Sequence, residues 1–164
     1  MNPTNLSKYP NKLIVSKIRN GIVIDHIPAG KALKVLRVLG ITGSEGLRVA
    51  LVMNVESRKL GRKDIVKIEE KFLSMKELSL IALIAPTATI NVIKEYKVVE
   101  KQRVEPPSIV KGLIKCPNPT CISRKKNEPI KSLFKLKSTN PIMLECQYCG
   151  YVLKGDEIED YIES

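Results

Sequence analysis

The chain has no tryptophan, and aromatic residues make up only 4% of its 164 residues. Ile, Val and Leu must therefore fill whatever core it builds. It has a single histidine, His26, so a Ser-His or Cys-His catalytic system has one candidate only. No apolar run reaches the roughly 18 to 20 residues needed to cross a bilayer. The longest, Leu78 to Ala85, falls far short. Met1-Asn2-Pro3-Thr4-Asn5-Leu6 lacks the charged-then-apolar order of an export signal. With cysteines spaced for metal, a reducing cytoplasm is the expected compartment, with no membrane contact. Acidic residues are also scarce, at 17 against 28 Lys and Arg, for a net charge of +11.

That excess is unevenly spread. Residues 1–105 hold 19 basic and 10 acidic side chains, whereas residues 106–164 hold 9 and 7. Four zinc-bound thiolates would bring the second half close to neutral. The positive field therefore belongs to the N-terminal part. Nucleic acid, a small phosphorylated ligand or an acidic protein partner would each suit it.

All four cysteines lie in one stretch, as Cys116-Pro-Asn-Pro-Thr-Cys121 and Cys146-Gln-Tyr-Cys149. Two close pairs separated by a hairpin-sized segment predict a four-thiolate metal site, each pair gripping one ion from a tight turn. Zinc favours tetrahedral sulfur and needs no open position in a structural site. Iron or an iron-sulfur cluster takes the same ligands, and two disulfides or four free thiols are the plain alternative. Four cysteines would close the coordination shell, which argues against a zinc enzyme that activates water.

Residues 1–11 read as a loose tail. Leu13 to Ile18 predicts a short strand, Arg19-Asn20-Gly21 a turn, and Gly21 to Ile27 a second strand. Pro28 is expected to open a helix in which Ala32, Leu33, Leu36 and Leu39 share a face. Leu47–Val55 and Asp64–Phe72 alternate as a hairpin around Arg58 to Gly61. Ser74 and Glu77 fit a capping box for a helix that Pro86 stops. Ala88–Ile93 and Tyr96–Val99 predict two more strands. This order approaches the split β-α-β arrangement of ferredoxin-like domains: an antiparallel sheet, one extra strand, and two helices on one face. The other face needs a cover, which self-association would supply. Arg103 to Ser108, with paired prolines, has the composition of a stiff linker. A small β-rich four-cysteine module follows, with Leu133–Lys137 and Ile142–Glu145 as hairpin strands, and an acidic tail suited to a short helix. The fold class is thus α+β.

Asp25-His26 at a strand end has two readings. It is either a carboxylate capping a turn beside a half-buried imidazole, or an acid and a switchable cation at the mouth of a pocket. An Asp so placed can accept ribose hydroxyls, and Lys67 on a neighbouring strand would suit phosphate. For Lys67, Lys94, Lys97 and Lys101, a solvated face is the plain alternative. Phe134, Tyr148 and Tyr151 interleaved with Lys131, Lys135 and Lys137, beside the basic loop Arg124-Lys125-Lys126, keep a nucleic-acid zinc ribbon open.

Gly21-Ile-Val-Ile-Asp-His-Ile-Pro-Ala29, Gly61-Arg-Lys-Asp-Ile-Val-Lys-Ile-Glu69 and Ala82-Leu-Ile-Ala-Pro-Thr-Ala-Thr-Ile-Asn91 form an ordered set of blocks. Tyr96-Lys-Val-Val99 with Lys101 and the two cysteine pairs continue it. The set resembles the regulatory chain of aspartate carbamoyltransferase over most of residues 12–150. The resemblance implies a non-catalytic subunit that acts on the catalytic enzyme of pyrimidine biosynthesis. Residues 12–102 would form a nucleotide-binding allosteric domain. Residues 103–164 would form a zinc-binding domain that contacts the catalytic chain and holds one structural Zn2+. It further implies homodimers, three of which bridge two catalytic trimers, and effectors of the CTP, ATP and UTP class. Asp25 and Lys67 would meet the ribose, Lys101 the triphosphate, and Asn91 would line the site. Ile18, Tyr96, Val98 and Ile93 would surround the base. His26, Arg19 and Lys63 would lie around the phosphates or an adjoining second nucleotide. Cys116, Cys121, Cys146 and Cys149 would be the zinc ligands. On this resemblance nucleic acid becomes an unlikely partner. The stretch before Leu13 and the start of the first helix, at Gly30-Lys31, depart from the family pattern.

Overall fold

The computed structural model describes residues 16–163. The first sheet grows from β1 (Gly21–Pro28), whose Ile22, Ile24 and Ile27 are fully buried. Two inward residues at period 2 and a third displaced by one position mark a bulge, because strict alternation would have turned Ile27 outward. Gly21 starts the strand with φ 143°, and a Cβ there would lie 2.2 Å from the Ile68 carbonyl oxygen, so only glycine fits.

α1 (Ala32–Val38) follows, then the hairpin of β2 (Val49–Ser57) and β3 (Gly61–Glu69). α2 (Met75–Ile84) begins at the predicted capping box: Ser74 accepts the Glu77 N–H, and Glu77 accepts the Ser74 N–H at 2.8 Å. β4 (Thr89–Lys94) and β5 (Lys97–Arg103) are joined by Glu95-Tyr96, both at positive φ, the two-residue turn whose twist matches antiparallel strands. The strand order is β2-β3-β1-β4-β5, antiparallel throughout. Without β5 this is the ferredoxin-like order expected from the sequence. Ile22, Ile24, Val66, Ile68 and Ile90 of the sheet pack with Val35, Leu36, Ile81 and Ile84 of the helices in one core.

Two sequence expectations change. Ser16 to Ile18 is not strand, and Leu13 to Val15 lies outside the described residues. Pro28 closes β1 instead of opening α1, which starts four residues later. A fixed φ and a missing N–H suit a strand end as well as a helix start.

The second sheet has the order β6-β7-β8-β9, built from β6 (Ile109–Lys111), β7 (Leu133–Thr139), β8 (Ile142–Cys146) and β9 (Val152–Lys154). Its core is small: Val110, Ile114, Phe134, Ile142, Leu144, Leu153 and Ile158 around three of the cysteines. Leu83 of α2 joins this second core, while Ile81, Ala82 and Ile84 join the first. With Leu80 to Ile84 all buried, the C-terminal half of α2 ties the two sheets together. The acidic tail forms a 3-10 segment, Gly155–Tyr161, that lies against α2. No helix among the described residues is long and apolar enough to cross a membrane.

Candidate functional site

The four sulfurs of Cys116, Cys121, Cys146 and Cys149 all lie within 4.8 Å of one another. Cys116 and Cys149 are 3.6 Å apart, and Cys121 and Cys146 are 3.7 Å apart. A disulfide needs about 2.05 Å, so these are not bonded pairs. A tetrahedron with metal–sulfur bonds of about 2.3 Å has edges near 3.8 Å, and the cluster matches that size. Local turns create it. Asn118 accepts from the Thr120 N–H and hydroxyl, curling the longer first loop. Gly150, at φ 78°, lets its N–H return to the Cys146 carbonyl in the second. Burial pushes the Cys116 and Cys146 thiols up. Burial also raises Cys149, but the Tyr151 N–H and the Asn118 side chain outweigh it and bring that thiol to about 7. A cation among the four sulfurs is what would hold all of them as thiolates.

The reading of exposed aromatics for base stacking does not hold at Phe134, which is fully buried in the second core. Along β7, Phe134 faces inward and Lys135 outward by ordinary strand alternation. Tyr148 and Tyr151 remain exposed.

The other candidates lie on the sheet face opposite the helices. One cross-strand row runs Ala50, Lys67, Val23, Asn91, Lys101 through four pairings, bringing residues from five strands into line. At one end of the face is a cleft of about 530 Å³, lined in part by Ile18, Arg19, Lys67 and Tyr96. The Tyr96 N–H bonds the Arg19 carbonyl at 3.0 Å, and Lys67 Nζ reaches the Ser16 carbonyl at 3.4 Å. Arg19 forms a forked pair with Glu95 at 3.0 and 3.1 Å, both side chains exposed. Ile93 pairs with Val98 at the same end, the former buried and the latter exposed.

The remaining three cluster towards the Pro28 end of the face: Lys63, four residues along β3 from Lys67 and about 13 Å away at strand spacing, with Asp25 and His26 on β1, Asp25 two residues beyond the Val23 that pairs with Lys67. Lys63 Nζ is 2.9 Å from Asp25 Oδ1, with both side chains mostly buried. Burial pushes the Asp25 carboxyl up, but the Lys63 ammonium and the His26 N–H at 2.6 Å outweigh it and hold it below its ordinary value. His26 is held below its ordinary value by burial first, countered by Asp25 and reinforced by Lys63, Lys59 and Lys101. The face is therefore cationic, with a histidine that gains a proton readily only when negative charge arrives.

Three contributors escaped sequence reasoning. Thr89, paired with Asp25 across β1 and β4, contacts His26 Nδ1 at 3.3 Å. Thr87 donates its hydroxyl to the His26 carbonyl at 2.7 Å. Asp64 is completely buried next to Lys63. Its Oδ2 accepts the N–H groups of Gly30 and Ala32 at 2.8 and 3.0 Å, and its Oδ1 that of Asn54 at 2.8 Å. His26 and Asn54 are the positive-φ residues of the bulges on either side of β3. Asp64 thus fixes the β2 bulge at Asn54 and caps α1 from a distance, while its backbone pairs with Ile27 beside the β1 bulge. The bulge in β1 is what places Asp25 and His26 side by side at the sheet mouth.

The fold and sites define a class: a ferredoxin-like domain with a basic open face, joined to a four-thiol metal module. Comparison with known proteins gives the family. Residues 13–105 match the aspartate carbamoyltransferase regulatory chain, allosteric domain, and residues 108–159 the metal binding domain of the same chain. The aspartate carbamoyltransferase regulatory chain of Hyperthermus butylicus is 57% identical over 150 residues, covering 92% of this chain and 94% of the relative. That of Saccharolobus solfataricus is 60% identical over 148 residues, covering 90% and 92%. That of Thermofilum pendens is 55% identical over 152 residues, covering 93% and 96%. The chain belongs to the aspartate carbamoyltransferase regulatory chain family.

Proposed function

We propose that this chain is the non-catalytic subunit through which nucleoside triphosphates adjust a catalytic carbamoyltransferase chain in pyrimidine biosynthesis. The observation that carries the reading is the single row Lys67, Val23, Asn91, Lys101, which links the Tyr96 cleft to the Asp25–Lys63–His26 cluster across one sheet face. The base would lie against Ile18, Tyr96, Ile93 and Val98, with the ribose over Lys67 and Asp25. The triphosphate would meet Lys101, with His26, Lys63 and Arg19 around it or around a second nucleotide. Arg19 would exchange Glu95 for phosphate, an inexpensive step because both groups are solvated.

The donor set and its dimensions favour one structural Zn2+ held by Cys116, Cys121, Cys146 and Cys149. Soft thiolates in a closed tetrahedral cluster leave no position for water, so the ion would serve folding and docking alone. Free thiols at this spacing suit a reducing cytoplasm. We assign residues 12–102 to effector binding and residues 103–164 to contact with the catalytic chain. Homodimers, three bridging two catalytic trimers, are the assembly this reading expects. Effectors act only by binding two states of that assembly unequally, with typical couplings of about 1–3 kcal/mol.

Calorimetry tests the site. Lys101→Ala should weaken CTP or ATP binding at least about tenfold, the loss expected for a charged hydrogen bond to phosphate. Co-elution with the catalytic chain should remain unchanged. Equal affinity in wild type and variant contradicts the assignment of Lys101.

A further inference from the structure

The effector face and the metal centre occupy different domains, and one continuous set of polar contacts joins them. It begins at Lys63, paired with Asp25, whose neighbour Asp64 holds the Gly30 and Ala32 N–H groups. Those two residues bracket Lys31. Its Nζ contacts Asp156 at 2.9 Å and the Ile84 carbonyl at the end of α2 at 3.2 Å. One turn on, Lys34 pairs with Glu159. Both acids belong to the C-terminal 3-10 segment, between whose charges Ile158 is fully buried in the second core. The segment is fastened at its far end: the Tyr161 carbonyl accepts the Lys115 N–H at 2.7 Å, the Leu113 carbonyl accepts the Glu163 N–H at 2.9 Å, and Ile162 bridges Ile114. Lys115 immediately precedes the metal ligand candidate Cys116.

We propose that this acidic C-terminal segment is the strap that carries effector binding from α1 to the metal domain, with Lys34–Glu159 and Lys31–Asp156 as its fastenings. Three features support it. The Lys34 ammonium is held above its ordinary value by Glu159, after which come burial, which lowers it, and the Asp156 and Asp160 charges. One oxygen of Glu159 is buried with no hydrogen-bond partner among the described residues, and Lys34 pairs with the other, so Lys34 is the group that compensates that carboxylate. A mostly buried acid that loses the cation beside it is left as an uncompensated charge, so breaking the pair loosens the fastening. The route is also direct. Charge arriving at Asp25–Lys63 alters the position of β3 at Asp64, and Asp64 holds the first turn of α1 through its backbone.

The proposal rests on the effector reading above, and its test has an arm independent of nucleotide. Metal-loaded full-length chain would be prepared as wild type, Lys34→Met, Glu159→Gln and the exchange Lys34→Glu with Glu159→Lys. Amide hydrogen exchange at Leu113 to Lys115 and along α1 would be followed, together with CTP affinity. Each chain would then be assembled with the catalytic chain and the CTP-induced change in aspartate half-saturation measured. Both single variants should keep CTP affinity within about twofold and lose protection at Leu113 to Lys115 about fivefold. The aspartate response should shrink by a comparable factor, the size expected for one partly buried pair. The exchanged pair should restore protection and response. Unchanged protection and a full-size response in the single variants overturn the strap. Wild type that binds no nucleotide contradicts the effector reading alone. Amide protection in Lys34→Met and Glu159→Gln then decides by itself, since lost protection upholds the strap and retained protection overturns it.

Discussion

Asp64→Asn should destabilise the chain by about 2–3 kcal/mol, and Asp64→Ala by about 4–6 kcal/mol. Asp64 is fully buried and its carboxylate accepts three backbone N–H groups, from Gly30, Ala32 and Asn54. Each hydrogen bond to a charged acceptor contributes roughly 1.5–3 kcal/mol net, against about 0.5–1.5 for a neutral one. Asparagine keeps an oxygen for Gly30 and Ala32 at the weaker value and turns an NH2 towards the Asn54 N–H, a donor facing a donor. That raw loss of about 3.5–6 kcal/mol is partly offset because a neutral amide costs less to bury than a carboxylate. Alanine leaves three orphaned donors and no acceptor. Against typical stabilities of about 5–15 kcal/mol, the alanine variant approaches unfolding. Urea denaturation at saturating metal reads the effect as a lower midpoint with unchanged slope. Because Asp64 holds Gly30, in the turn that directly follows the strand carrying Asp25 and His26, CTP affinity should fall in the asparagine variant as well. An Asp64→Asn stability within about 0.5 kcal/mol of wild type would refute the reasoning, since surface changes alone reach that size.

Two further outcomes follow from the same structure. Chelation, or Cys146→Ser, should remove exchange protection from β6 to β9 while the first sheet keeps its own, because a core of so few side chains depends on the ion. Simultaneous loss in both sheets would contradict that dependence. Asp25 has a folded-state pKa below its ordinary 3.8, so its stabilising contribution is complete above that value and lost as pH falls through the lower folded one. Lys63→Met should therefore flatten the acid limb of the stability profile as pH falls through and below 3.8, and an unaltered limb would show that the pair contributes nothing.

Much of this was legible in the residues. The capping box at Ser74 and Glu77, the turn at Arg58 to Gly61 and the two cysteine pairs are local devices whose chemistry depends on neighbours in sequence, whereas Tyr96, expected to start a strand, lies in the turn before β5. The topology followed, because alternating strands and two short amphipathic helices in that order have few antiparallel arrangements. The bulges at His26 and Asn54 were not legible. One extra residue in a strand leaves no signature until its partner strand is known, and Asp64 reveals its role only when Gly30, Ala32 and Asn54 converge on it. Phe134 shows the opposite case. Its alternation with Lys135 and Lys137 already announced an inward side chain, and its spacing among lysines suggested a stacking surface instead. The strap was invisible for a third reason: an acidic tail reads as solvated unless the lysines of α1 are known to face it.

The central claim is that this chain transmits nucleotide binding to a catalytic partner. Aspartate saturation of the catalytic trimer should be recorded alone, with the metal-loaded chain, and with chain plus CTP or ATP. The account predicts co-assembly, and a nucleotide-dependent shift in half-saturation that the trimer alone lacks and that Lys101→Ala reduces. Saturation curves that superimpose with and without nucleotide, at concentrations where assembly is complete, would contradict it.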